Sequence, residues 1–159
     1  MRIRGKVTRV TSEEKPTPLL VRAIPRDENA YLGYYAGSAT YTKPDGSFEL
    51  TGIRSGSYEV SVFKGQAQTL VGMTPAVVNR DSLEQVLVNV GEVTVKGRIV
   101  VEPKEGETQS PNLDLSGSDV SLLPWEGVPL GIARTTVKKD GIFEIQGVGL
   151  SKFRVMTNL

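Results

Sequence analysis

The chain contains neither cysteine nor histidine, and these two absences remove more chemistry than any motif in it adds. Zinc sites built from thiolate or imidazole ligands cannot form. Thiol catalysis and Ser-His-Asp relays, which need a thiolate or a neutral imidazole base, go with them. Lack of cysteine leaves the compartment open, because disulfide-free domains occur inside and outside cells. Long apolar runs are missing too, and nothing approaches the roughly 20 residues that span a bilayer as a helix, so no membrane insertion is expected. Excess charge of one sign is also absent: 19 Lys and Arg stand against 18 Asp and Glu, a net charge of +1. That balance supplies no long-range field for phosphate backbones or anionic lipid, so nucleic acid is not expected as a partner. The N-terminal Met1-Arg-Ile-Arg-Gly enters an alternating pattern directly, without the apolar core of a signal peptide.

What is present is a repeat. Asp45-Gly-Ser-Phe48-Glu-Leu50-Thr-Gly52-Ile53 returns as Asp140-Gly-Ile-Phe143-Glu-Ile145-Gln-Gly147-Val148, and Tyr58 and Val60 return as Phe153 and Val155. Ile3-Arg-Gly5-Lys-Val7 matches Val95-Lys-Gly97-Arg-Ile99, and Val21 to Pro25 matches Val120 to Pro124, with the small changes of offset that loop insertions produce. Inside each copy apolar residues recur with period two, as in Phe48 with Leu50 and Tyr58 with Val60 and Val62, the mark of half-buried strands. Helical spacing is nowhere sustained. The Asp-Gly pairs at 45–46 and 140–141 supply the positive φ of tight turns between strands. Short strands at this turn frequency predict an all-β chain of two tandem immunoglobulin-like or transthyretin-like β-sandwiches, residues 1–90 and 91–159, with little linker near Val90-Gly91. Gly56-Ser57-Tyr58 fits a tyrosine corner, whose hydroxyl the second copy loses at Phe153.

A first strand with a central Gly, an apolar strand ending in Pro, then Asp-Gly-Ser-Phe-Glu-Leu-x-Gly-Ile and Gly-Ser-Tyr-Glu-Val together resemble the carboxypeptidase regulatory-like domain. That transthyretin-like sandwich accompanies metallocarboxypeptidases and recurs in large bacterial exported proteins. The matching positions are turn and core positions, so the resemblance implies architecture first and export to the periplasm or cell surface second. It also implies non-catalytic accessory, adhesive or carbohydrate-associated work. A related group of surface adhesins carries internal Lys-Asn bonds promoted by a Glu shortly after the turn-following strand. Here Gly52 and Gly147 hold the comparable positions, so no cross-link is expected and Lys6 and Asn89 read as surface residues.

Two aromatic features are candidate ligand or partner contacts. Tyr31, Tyr34, Tyr35 and Tyr41 cluster within a short stretch, and faces presented from a loop or edge stack on sugar rings or anchor a protein. The plainer expectation is that alternate Tyr residues pack on the core along one strand. Trp125, the only Trp, lies in a Pro-bounded loop either as an exposed anchor or, the plainer expectation, as a cap on the open end of a sandwich. No catalytic residue, cofactor or structured metal site is expected. Ser61-Val-Phe-Lys64 has the letters of a nucleophile motif that must open a helix, whereas strand residues three apart face opposite ways. Glu49 and Glu144 alternate with core residues and should face solvent. Acids between Glu102 and Glu107 and between Asp114 and Asp119 are spaced for weak calcium binding at most, without EF-hand order.

The first copy continues for 28 residues past Val62, through the β-prone Leu83-Glu-Gln-Val86-Leu-Val88-Asn-Val90, whereas the second stops four residues after Val155. The second copy is therefore expected to lack its closing strand, as a fragment of a longer repeat protein, a differently closed module, or an acceptor of another chain's strand. An open edge invites strand addition, and head-to-tail donation can propagate as a filament. The function expected is a structural or adhesive tandem module whose partner is protein (itself or the rest of its parent chain). Carbohydrate binding through the loop aromatics and support of a peptidase are the alternatives.

Overall fold

The computed structural model describes residues 1–9, 17–26, 37–66, 68–103, 114–125 and 132–158. All regular structure among them is strand: β1 (Arg2–Arg9), β2 (Leu20–Pro25), β3 (Ser38–Tyr41), β4 (Ser47–Thr51), β5 (Gly56–Lys64), β6 (Thr69–Val78), β7 (Leu83–Val90), β8 (Glu92–Arg98), β9 (Asp119–Pro124), β10 (Ala133–Thr136), β11 (Ile142–Gly149) and β12 (Phe153–Asn158). Period-two alternation sets the inward faces. In β1, Ile3 and Val7 are buried while Arg2, Arg4, Lys6 and Thr8 are exposed.

The first sandwich packs a sheet ordered β4-β1-β7 against one ordered β3-β2-β5-β6. Its core runs from Ile3 and Val21 through Phe48, Leu50, Val60 and Val62 to Val88 and Val90. The β-prone closing strand anticipated at Leu83–Val90 is β7, and it closes the module by pairing parallel to β1. In the second copy β11 pairs with β8, and a sheet ordered β10-β9-β12 faces a separate core of Val120, Leu122, Val137, Phe143, Ile145 and Val148.

The sequence repeat is repeated in hydrogen bonds. Gly5 pairs with Phe48 as Gly97 pairs with Phe143, and Pro25 pairs with Tyr58 as Pro124 pairs with Phe153. A Cβ on Gly5 would lie 2.6 Å from the Phe48 ring, and one on Gly97 would lie 2.4 Å from the Phe143 ring. Both positions need glycine because a Phe lies flat across the strand. The turns match as well. Ser47 N–H donates to Asp45 Oδ1 at 2.9 Å and Ile142 N–H to Asp140 Oδ1 at 3.2 Å, with φ of 82° at Gly46 and 81° at Gly141. These turns are not hairpins, because β3 and β4 belong to different sheets. Thr42 N–H still bonds Leu19 O beside β2, and Gly46 O already accepts from Val7 N–H beside β1. Each turn carries the chain from one sheet to the other.

Among the described residues the second copy has no counterpart of β6 or of β7. β7 is strongly β-prone in sequence, whereas β6 carries Pro75 and Gly72, which interrupt that pattern.

The copies meet at a short joint. Gly91 alone separates β7 from β8, and its N–H donates to Val71 O at 3.3 Å. The end of β11 lies on β6, where a Cβ on Gly149 would fall 2.5 Å from Leu70 O and 2.7 Å from Val71 Cα. Lys64 Nζ reaches Glu92 at 2.8 Å, and Ser151 Oγ lies 3.2 Å from Met73 Sδ.

Candidate functional site

Tyr31, Tyr34 and Tyr35 lie outside the described residues. Tyr41, the last member of that group, is exposed at the end of β3. Trp125 follows directly on β9, which Pro124 ends, and it caps no core: 56% of it is exposed. Its backbone is fixed by a 2.8 Å bond from Trp125 N–H to Lys152 O, equivalent to the Arg26 to Ser57 bond of the first copy. The Arg154 guanidinium lies 5.2 Å from the Trp125 ring centroid, and Arg154 Nη2 donates to Trp125 O at 3.4 Å. A cation over an indole face is attracted by the ring quadrupole, so Arg154 and Trp125 hold each other at the end of the sheet.

Arg154 belongs to β12, the outer strand of its sheet. Among the described residues β12 pairs only with β9, setting Val155 against Leu122 and Thr157 against Val120. Opposed residues share a face, and Leu122 and Val120 are buried, so Val155 and Thr157 lie on the core face. Val155 is nonetheless 62% exposed, whereas Val60, its equivalent on β5, is 0% exposed. The difference is the shelter that β6 and β7 provide in the first copy. On the outer face, Met156 is 54% exposed.

The ionisable groups described are arranged for surface pairing. Glu49 sits between Arg4 (3.1 Å) and Arg2 (3.2 Å), and Arg4 reaches on to Glu84 at 3.5 Å. Hydrogen bonding from Arg4, aided by the charges of Arg4 and Arg2, holds the Glu49 carboxyl below its ordinary pKa. Glu144 is lowered likewise, first by the Gln146 amide and then by Lys96 at 3.2 Å. Asp45 is lowered by the Ser47 N–H and hydroxyl, and Asp114 by Ser116. Both glutamates face solvent, as their alternation with core residues requires. Lys6 and Asn89 are exposed on neighbouring strands. Among the described residues no group of three metal-ligating side chains comes together. A cleft at the joint, lined by Arg9, Leu19, Lys64, Val71 and Glu92, has a volume near 50 Å³, room for a few waters.

Sequence reasoning missed two features. Glu59 on β5 is only 4% exposed and accepts a 2.9 Å bond from the buried Ser61 hydroxyl; a Glu alternating with core valines carries no signal that its own face is covered. The Arg154–Trp125 pair joins residues 29 apart in sequence, and only the alignment of Pro25-Tyr58 with Pro124-Phe153 brings them near. The tyrosine corner was legible, with Tyr58 Oη donating to Arg54 O at 3.1 Å.

No protein-family model matches the chain, and no curated protein matches it. Among solved structures it is similar to a streptococcal ancillary pilin at 14% identity and TM-score 0.34, covering 99% of this chain and 58% of that one. It is also similar to a protein from Bacteroides ovatus described as an adhesin, at 11% identity and TM-score 0.37, covering 98% and 69%. The Bacillus anthracis TIE protein matches at 10% identity and TM-score 0.33, covering 99% and 30%. The chain thus spans just over half the length of the pilin. Likenesses this loose go no further than all-β architecture, which the strands already display.

Proposed function

We propose that this chain is a non-catalytic structural or adhesive unit of an exported or cell-surface protein, made of two carboxypeptidase regulatory-like sandwiches at 1–90 and 91–159 that space or present a partner surface. The observation that carries the reading is the joint. One residue links the copies, and the Gly149 backbone lies directly on Leu70 and Val71. A joint without slack suits a spacer and is not needed by two independent domains. The chemistry at hand agrees, because there is no His or Cys and the described acids with shifted pKa are tied up in surface pairs and turns. Strand addition at the open second sandwich is the mode of assembly that the uncovered Val155 supports.

The test is to measure residual dipolar couplings in weakly aligned protein. Both copies should fit one alignment tensor, and two independent tensors would sink the spacer reading. A second reading, carbohydrate binding, is favoured only by the exposed Trp125 with its Arg154 brace. It predicts glycan-array binding that is lost in Trp125→Ala.

A further inference from the structure

An exposed sheet edge is a template for pairing with another chain, and native proteins blunt the edges they do not use with shortness, proline, bulges or charge. The other outer strands here carry such devices. β3, β4 and β10 are four or five residues long. β6 contains Pro75. β7 is bulged where Gln85 takes φ 61°, and β11 is bulged between Ile145 and Val148. β8 carries Glu92, Lys96 and Arg98. β12, Phe-Arg-Val-Met-Thr-Asn, has six residues, no proline and no register shift, and its one charge leans onto Trp125.

Resting on the reading of the chain as a strand-adding surface module, we propose that β12 is the edge at which a second copy of this chain docks. The two β12 strands run antiparallel about a two-fold axis, with Val155 of each copy beside Val155 of the other. The pairing joins two β10-β9-β12 sheets into one continuous sheet.

A two-fold axis perpendicular to a sheet maps each face onto itself, so residues brought opposite must share a face. Only registers centred on a single residue satisfy this. Centring on Arg154 sets two guanidiniums against each other, which is unfavourable. Centring on Val155 sets Phe153 against Thr157 and Val155 against Val155 on the core face, with Arg154 against Met156 on the outer face. The core-face pairs are aromatic and β-branched residues, which stabilise cross-strand contacts. The outer face then contains no like-charge pair. Centring on Met156 instead sets Val155 against Thr157 and carries Phe153 past Asn158, where β12 ends. The Val155 register therefore gives the largest apolar match at the edge the fold leaves open.

The register makes a signed prediction, because Met156 is exposed and its replacement spares the core. Wild-type protein should show a monomer–dimer equilibrium by sedimentation equilibrium. Met156→Lys places a cation opposite Arg154 of the second copy, twice per dimer, and should raise the dissociation constant by about tenfold. Met156→Glu places an anion there and should lower it severalfold, a gain that added salt erodes. Circular dichroism of both variants checks that the fold is retained. Weakening by both substitutions alike would overturn the Val155 register, since Met156 opposite itself would bring like charges together in either variant. A chain monomeric at every concentration reached would overturn the pairing. If that monomer also binds a synthetic Thr69–Val78 peptide and protects the β12 amides from exchange, strand addition stands with another donor; if it does not, that reading falls too.

Discussion

Replacing Gly149 by Ala adds one methyl group at the point where β11 lies on β6. The new Cβ would fall 2.5 Å from Leu70 O and 2.7 Å from Val71 Cα, both backbone atoms that no side-chain rotation can clear. Overpacking of this kind costs about 1–3 kcal/mol. Holding the copies together there is the hydrogen bond from Gly91 N–H to Val71 O, which contributes about 1 kcal/mol. The Lys64–Glu92 pair has both side chains more than a third exposed and adds at most about 1 kcal/mol. One methyl therefore costs as much as these contacts supply, and the copies should separate while each stays folded. Residual dipolar couplings should then need two alignment tensors, small-angle scattering should show a larger radius of gyration, and the melting temperature of the second copy should fall. The sign makes the test sharp. Gly149 does not have positive φ, so without the backbone clash alanine would stabilise by about 0.4–1 kcal/mol through the unfolded chain. A Gly149→Ala protein that keeps one tensor and melts higher would refute the argument.

Val60 and Val155 occupy equivalent positions with opposite burial. Val60→Ala should cost about 2 kcal/mol in urea denaturation, and Val155→Ala less than about 0.5 kcal/mol at concentrations where the chain is monomeric; equal losses would show that the second core is already covered. On the acid side, the carboxyls of Asp45, Glu49, Asp114 and Glu144 all have folded pKa values below their ordinary ones. Their contribution is complete above the unfolded values of about 4 and is lost as pH falls through the folded ones. The urea midpoint should fall as pH drops below about 4. Glu49→Gln should flatten that fall, and an unchanged slope would mean the Arg4 contact is not made in solution.

Strand positions, turn residues and the repeat were legible because they obey local rules. Asp45-Gly46 and Asp140-Gly141 need positive φ, and Phe48 and Phe143 need a glycine beneath them wherever the strands fall in register. Sheet membership was less legible. The turn at Asp45 has the composition of a hairpin, and only the bond from Val7 N–H to Gly46 O shows that it changes sheets. Burial of Glu59 was illegible for a related reason, since alternation reports which residues share a face and not what lies over that face. The packing role of Gly149 was illegible as well. Its neighbours Leu70 and Val71 are nearly 80 residues away in sequence, and it falls where the first copy has Arg54, so nothing in the repeat marks it.

The difference between the copies bears on stability as much as on docking. Among the described residues the second core has few fully buried members, and Val95, Ile99 and Phe153 are only partly covered. A small core gives a marginal domain by itself. In the first copy β6 and β7 cover the same positions, and β6 is also the strand on which the second copy leans through Gly149. The joint thus stiffens the pair and also supports a sandwich whose described strands leave Val155 uncovered. Leaving β12 unblunted costs the second copy stability that its neighbour partly restores, while a partner strand at β12 would shelter Val155 directly. Loosening the joint and blocking the edge should therefore destabilise the same copy, and they should be distinguishable by concentration. The joint acts within one chain and is independent of dilution, whereas the edge acts between chains and loses its effect as the dimer dissociates.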